Sequence, residues 1–266
     1  AKPVFSVCGM CPVRCPIEVD VANEECRFIQ GNRQAPSIRG ALCTRGGAGI
    51  PFVRDDERPQ FPMVRMGERG EGRWRRVSWE EAFSFAAEKI SAVRDRFGGR
   101  SILWSDTGGP FSDLRQAFVR GVGSPNYFSA ESVQGVNRQH AALSLFGFTD
   151  ERLVLDLKNA REVVLQARNL FESVHIQQAN DLLDGLDNGG RLTVVDVRAT
   201  VTSGKADRFF LVRPGTDYTL NMAVIQILLK QKLYDAAYAE KWIADLEELR
   251  RLSAAFTPEA AAAATG

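Results

Sequence analysis

All five cysteines of the chain lie before residue 44, at positions 8, 11, 15, 26 and 43, and the rest of its 266 residues has none. An odd number crowded at one end is a poor disulfide framework for a chain of this size, so a metal site or a redox pair is the better reading. The spacing Cys8-x2-Cys11-x3-Cys15-x27-Cys43 puts three thiolates on one short loop and returns a fourth from a distance. That pattern suits a [4Fe-4S] cubane, whose four irons each take one soft ligand. Structural zinc is the rival, although it more often draws on two separated C-x2-C pairs, and a thiol redox pair is the third option. Cys26 falls outside the pattern and reads as an inert buried thiol within a hairpin.

With 44% apolar and 25% charged residues and a formal charge of +1, the composition is that of a globular protein. It lacks the basic excess that phosphate backbones require, and Arg73, Arg75 and Arg76 make only a small local cluster, so no nucleic-acid partner is expected. Apolar runs such as residues 222–229, interrupted by Gln226, are far shorter than the roughly 20 residues of a bilayer span. Membrane association is therefore expected only through partners. The chain begins Ala-Lys-Pro, with neither Met nor an apolar leader, as a mature exported protein would.

Residues 1–52 read as a small β-rich unit, with a hairpin over residues 16–22 and 26–30. Residues 53–62 are polar, carry two prolines and read as a linker, and a second hairpin follows over residues 63–66 and 74–77. At residue 78 the period becomes helical: Ser78-Trp-Glu-Glu81 is a capping box opening a helix that should run to Phe97, ahead of Gly98-Gly99. Strands are expected at 100–105, 162–166, 191–197 and 209–212, and helices at 113–122, 138–145, 173–186 and 219–232, with an Ala-rich helical tail from Pro258. Strands alternating with helices imply a mostly parallel α/β sheet over residues 53–266, open at the carboxyl ends of its strands to a nucleotide-like ligand.

The phrases Cys8-Gly-Met-Cys-Pro-Val-Arg-Cys15 and Gly40-Ala-Leu-Cys-Thr-Arg-Gly46 resemble the amino-terminal [4Fe-4S] domain of molybdopterin oxidoreductases of the dimethyl sulfoxide reductase type. The resemblance implies Cys8, Cys11, Cys15 and Cys43 as cluster ligands, and Arg45 as the basic residue between cluster and pterin. It continues through Val163-Val-Leu-Gln-Ala-Arg-Asn169, Thr193-Val-Val-Asp-Val-Arg-Ala-Thr200 and Arg213-Pro-Gly-Thr-Asp217. These segments match the family's contacts to a pterin dinucleotide, which implies Asn169, Asp196, Arg198, Thr200, Gly215, Thr216 and Asp217 as binding residues.

One position departs from the family. After Gly123-Ser-Pro-Asn-Tyr127, where such proteins present Cys, selenocysteine, Ser or Asp to molybdenum or tungsten, this chain presents Gln134, with Glu131 and Ser132 as neighbouring candidates. A neutral amide is a poor ligand for a high-valent metal. The two histidines, His140 and His175, fall on expected helices and read as packing or surface residues rather than catalysts. Catalytic members of the family are longer, so 266 residues correspond to their amino-terminal part or to a shortened module.

Within the family, Ser6-Val-Cys-Gly-Met-Cys11, Asp55-Asp-Glu-Arg-Pro-Gln-Phe-Pro62 and Gly123-Ser-Pro-Asn-Tyr127 are most similar to the molybdopterin-like subunit of the menaquinone-reducing Qrc complex, and Gln134 fits its loss of the metal cofactor. That likeness implies a periplasmic electron-transfer subunit of a membrane-associated respiratory oxidoreductase, working with iron–sulfur, cytochrome or membrane-anchor subunits and lacking a standard molybdenum ligand. The alternative is the amino-terminal part of a catalytic molybdenum or tungsten bis(pterin guanine dinucleotide) oxidoreductase, such as a formate dehydrogenase or a polysulfide or thiosulfate reductase. A non-redox scaffold stabilised by zinc is the third reading.

Overall fold

The computed structural model describes residues 3–11, 13–106, 111–130, 135–149 and 153–266. It contains two compact units, one of residues 1–30 and 44–154, the other of residues 31–43 and 155–266.

In the first unit, β1 (Pro3–Val7), β2 (Pro16–Ala22) and β3 (Glu25–Gly31) form a sheet in that order, with β1 antiparallel to β2 from Pro3↔Asp20 to Val7↔Pro16. Asn23 and Glu24 join β2 to β3 with both φ angles positive, 53° and 63°, the conformation whose twist suits a two-residue hairpin turn. Two short helices follow, α1 (Thr44–Gly47) and α2 (Gly49–Arg54). Next comes the antiparallel pair β4 (Met63–Arg65) and β5 (Trp74–Arg76). Helix α3 (Trp79–Phe97) starts as its capping box predicts, the Ser78 hydroxyl accepting from the Glu81 amide at 3.1 Å, and stops at Gly98 with φ of 80°.

The strand expected at residue 100 begins later. Residues 99–101 make a tight turn in which Ile102 N donates to Gly99 O at 3.0 Å and Ser101 Oγ to Gly98 O at 2.7 Å, so these local bonds take the groups a ladder would use. β6 is therefore only Trp104–Asp106; it pairs in parallel with β7 (Tyr127–Ser129) across α4 (Ser112–Gly121), and α5 (Val136–Phe146) follows.

The second unit contains a three-stranded parallel sheet in the order β10-β9-β8, in which β8 (Glu162–Gln166) leads through α6 (Ile176–Asp187) to β9 (Arg191–Asp196), and β10 (Arg208–Leu211) lies on the other side of β9. Its core is Leu157, Val163, Leu170, Ala179, Leu182, Leu192 and Val194, in which apolar positions of β8, β9 and α6 meet Leu157 and Leu170 of the adjoining loops. Gly185 of α6 packs so close to the chain that a Cβ there would stand 2.3 Å from Leu157 O. Helices α7 (Asp217–Lys230), α8 (Ala236–Trp242), α9 (Leu246–Ser253) and α10 (Pro258–Thr265) complete the unit. The sequence reading had neither α8 nor α9; Asp235 and Asp245 cap them, accepting from Tyr238 N at 2.9 Å and Glu248 N at 2.8 Å.

Residues 31–43 group with this α/β unit, whereas the sequence reading assigned them to the cysteine-bearing one. Two polar contacts with α6 account for it: Asn180 Nδ2 donates to Ser37 O at 3.0 Å, and Arg39 Nη1 to Asp184 Oδ1 at 2.9 Å. Among the described residues no helix is long and apolar enough to cross a membrane.

Candidate functional site

The cysteine loop of the first unit is closed at its base by Cys8 N donating to Cys15 O at 2.8 Å. Cys8 and Cys15 are buried, Cys11 is half-buried, and none of the five cysteines is in a disulfide. The turn between them uses Arg14 at φ 54°, a left-handed conformation that brings Cys15 back under Cys8. Cys43 is half-buried and ends the 31–43 segment of the α/β unit. Among the described residues no three His, Cys, Asp or Glu side chains stand close enough to hold a single ion. A cubane spreads its ligands over four metals, farther apart than the ligands of one ion, and a thiol-only donor set fits its irons chemically.

A cavity of about 770 Å³ lies between this loop and the following helices, lined by Cys8, Met10, Ile17, Cys26, Ile50 and Arg54 among others. Cys26 is exposed, correcting its reading as a buried thiol: the first four residues of β3 all face solvent, and its carbonyl accepts from Arg54 Nη2 at 2.5 Å. Arg45 is exposed on α1.

The second constellation lies along the carboxyl edge of the parallel sheet, where β8 ends at Gln166, β9 at Asp196 and β10 at Leu211. Crevices at such edges bind nucleotide-like ligands because the loops leave the strands there and splay apart. After β8 the chain turns at Ala167 (φ 50°) and reaches Asn169, whose Oδ1 accepts from Thr202 Oγ1 at 2.7 Å and whose Nδ2 donates to the Glu172 carboxylate. Glu172 also pairs with Arg198 Nη2 at 3.3 Å. Thr200 and Ser203 bond each other's backbone, Thr200 N donating to Ser203 Oγ at 2.7 Å and Ser203 N to Thr200 Oγ1 at 3.0 Å.

Asp196 is buried, its Oδ1 accepting from Val197 N at 2.7 Å. In the loop after β10, Gly215 has φ of 80° and open space where a Cβ would stand, Thr216 Oγ1 donates to Arg213 O at 2.6 Å, and Asp217 Oδ1 accepts from Gln166 Nε2 at 3.1 Å. The structure thus joins Asn169 to Arg198 through Glu172, and Asp217 to the end of β8 through Gln166. Sequence reasoning missed Gln166, Glu172 and Thr202. A polar residue closing an apolar strand was a usable signal for Gln166; Thr202 gave none, because its bond to Asn169 spans 33 positions. Carboxylates beside a bare backbone suit a ligand rich in N–H and O–H donors, such as a ribose or a guanine edge.

Gln134, Glu131 and Ser132 lie outside the described residues. His140 is exposed on α5. His175 is the N-cap of α6, its Nδ1 accepting from Gln178 N at 3.5 Å, which is a structural use.

Comparison with known proteins places these features in a family. Residues 1–55 match the molybdopterin oxidoreductase Fe4S4 domain, and residues 58–260 match the molybdopterin oxidoreductase family. The chain is 34% identical, over 97% of its length, to the molybdopterin-containing subunit of thiosulfate reductase from Salmonella typhimurium, and covers 34% of that protein. It is 27% identical over its whole length to formate dehydrogenase H of Escherichia coli, of which it covers 38%. The solved structure of acetylene hydratase from Pelobacter acetylenicus superposes with a TM-score of 0.87 at 25% identity, over 98% of this chain and 36% of that one. The chain therefore spans about a third of the length of these relatives. On these matches, and on the cysteine loop and sheet edge that carry them, the chain belongs to the molybdopterin oxidoreductase family, with its [4Fe-4S] domain followed by its molybdopterin domain.

Proposed function

We propose that this chain is the amino-terminal, electron-transferring and cofactor-holding part of a molybdenum or tungsten oxidoreductase that reduces a small sulfur oxyanion of the thiosulfate class. The observation that carries the reading is the assembled sheet edge, in which Asn169, Arg198, Asp196 and Asp217 are all held in hydrogen bonds or ion pairs at the carboxyl ends of β8–β10. The substrate class comes from the likeness to the thiosulfate reductase subunit, which exceeds that to formate dehydrogenase H.

In this reading the sheet-edge loops hold one pterin guanine dinucleotide: Asn169, Arg198 and Thr200 on one side, Gly215, Thr216 and Asp217 on the other, with Asp196 between them. When bound, the metal would supply oxygen- or sulfur-atom transfer at the substrate. Cys8, Cys11, Cys15 and Cys43 hold the cluster that carries single electrons to it, and a positive charge at Arg45 raises the potential of that cluster. A periplasmic location, with iron–sulfur, cytochrome or membrane-anchor subunits as electron partners, completes the proposal.

A second reading rests on one residue. Gln134 offers a neutral amide where the family presents an anion, which favours a Qrc-like subunit passing electrons towards a quinone through its cluster, with no molybdenum or tungsten. Anaerobic purification, quantitation of iron, zinc, molybdenum and tungsten, and EPR of the reduced protein separate the two. About four irons with stoichiometric molybdenum or tungsten supports the catalytic reading, and iron alone supports the second. Zinc without iron would sink both.

A further inference from the structure

The basic residues around the cysteine loop differ in where their charge goes. Arg54 gives its guanidinium to the Cys26 carbonyl and faces Glu25 at 3.8 Å, and Arg27 pairs with Glu25 at 3.0 Å. Arg58 lies over the Phe52 ring, its Cζ 4.7 Å from the centroid. Arg45 is exposed on α1, where water and salt screen it. Arg14 is half-buried, and among the described residues no carboxylate pairs with it.

The loop itself sets the place of that charge. Arg14 immediately precedes Cys15, and its φ of 54° is one that glycine or asparagine adopts with less strain, so the turn alone would be served by a smaller residue. Its side chain folds back along the loop: Nη1 stands 3.7 Å from where a Cβ on Gly9 would lie, beside the segment that joins Cys8 to Cys11. The bond from Cys8 N to Cys15 O closes the same loop at its base. The guanidinium is thus held against the short loop that carries Cys8, Cys11 and Cys15, in surroundings partly withdrawn from water. Reduction of a [4Fe-4S] cluster adds one electron to a core already surrounded by thiolates, so the reduced state gains more from a neighbouring cation than the oxidised state does. At an effective dielectric of about 20, a unit charge about 10 Å away favours the reduced state roughly tenfold, which for a one-electron couple is about 59 mV.

We propose that Arg14 is the principal electrostatic control of the cluster: its half-buried guanidinium, held against the Cys8–Cys11 segment, raises the reduction potential more than the exposed Arg45 does. The inference rests on the cluster assigned to Cys8, Cys11, Cys15 and Cys43, which both readings above share. It is independent of the substrate and of the molybdenum or tungsten site.

The test uses the whole protein purified anaerobically with its cluster, as wild type and as Arg14→Gln, Arg14→Gly, Arg14→Lys and Arg45→Gln. Reduced viologen, a one-electron donor, supplies one electron per cluster in a redox titration followed by EPR at low and high salt, and iron is quantified in every sample. Arg14→Gln and Arg14→Gly should each move the cluster equilibrium about tenfold towards the oxidised form, a fall of about 59 mV, and Arg14→Lys should restore most of it. Arg45→Gln should move it less, and by nothing measurable in about 1 M salt, where the Debye length is about 3 Å, while the Arg14 shift persists. Iron content should match wild type throughout. Wild-type potentials in Arg14→Gln and Arg14→Gly overturn the proposal, as does a shift in Arg45→Gln equal to theirs. Arg14→Lys behaving like Arg14→Gln also overturns it, because the effect would then not follow charge. Loss of iron from an Arg14 variant marks a structural residue of the loop and overturns it likewise. A wild-type protein holding zinc in place of iron removes the cluster assignment, and the proposal with it.

Discussion

Arg39 donates from Nη1 to Asp184 Oδ1 at 2.9 Å across 145 positions of sequence, tying the segment that ends in Cys43 to helix α6 of the α/β unit. Cys43 is thereby carried by a strut on the α/β unit, although in sequence it follows Cys15 by only 28 residues. Arg39→Ala should lower the iron bound per chain and leave the helical circular dichroism intact, because the strut is lost and the core of Leu182 and Leu192 is untouched.

The same pair sets a pH dependence. The Arg39 hydrogen bond, reinforced by Lys158, holds the Asp184 carboxyl below the usual carboxylate range. A depressed folded value means that the pair stabilises the fold above the ordinary carboxylate pKa of about 4 and that this contribution fades as pH falls through the folded value. The difference in urea midpoint between wild type and Asp184→Asn should be full at neutral pH and shrink in acid. A difference constant down to about pH 3 would show that the pair does not titrate this way.

Tyr127 gives the opposite sign. Its hydrogen bond to Asp106, aided by partial desolvation, raises the phenol above its ordinary value. Stabilisation from the neutral phenol is present below about pH 10 and is lost as pH rises through the folded value. Asp106→Asn should therefore lower the pH at which tyrosinate absorbance develops, with Tyr127→Phe identifying its share among the four tyrosines.

Cysteine replacements should divide by position. Cys8→Ser, Cys11→Ser, Cys15→Ser or Cys43→Ser should each abolish or reshape the reduced-cluster EPR signal, since a hard hydroxyl is a poor substitute for a soft thiolate at iron. Cys26→Ser, on the solvent-facing start of β3, should leave iron content and signal unchanged.

Asp196→Asn keeps the Oδ1 that accepts from Val197 N and removes only the charge. Fold and iron content should be retained, while affinity for the guanine dinucleotide drops about tenfold to a hundredfold, the worth of a hydrogen bond to a charged group. Guanine nucleotide released by acid treatment of the purified variant provides the measure.

Leu182 is fully buried on α6 against Leu192 and Val194. Leu182→Ala should cost about 3 kcal/mol of unfolding free energy through a residual cavity, and Leu182→Met less than about 1.5 kcal/mol. Denaturant titration reads both values.

Local chemistry was legible in the sequence and tertiary grouping was not. Ser78 and Glu81 mark the start of α3, and the alternation through Leu192 and Val194 marks β9, because caps and periodicity act within a few residues. The Gly-Pro-rich stretch around residues 31–43 has no period at all, and its attachment to α6 depends on Asn180 and Asp184, more than 140 positions away. The cysteine spacing marked out a candidate ligand set, whereas Glu172 and Gln166 became visible only when the strand ends converged. Cys26 was misread because an isolated cysteine in a strand does not declare which face it occupies.

Arg213 precedes the Gly215–Asp217 loop and, although exposed, is engaged with the end of α10. Its backbone N–H donates to Thr265 O at 2.8 Å and its guanidinium to Ala263 O at 3.0 Å, so it closes the carbonyl end of α10. That guanidinium is thus occupied with a helix terminus, and Asp217 and Asp196 bring negative charge to the same edge. Carboxylates at such an edge reward a base that presents N–H groups, so the loop should sort its ligands by the edge of the nucleobase.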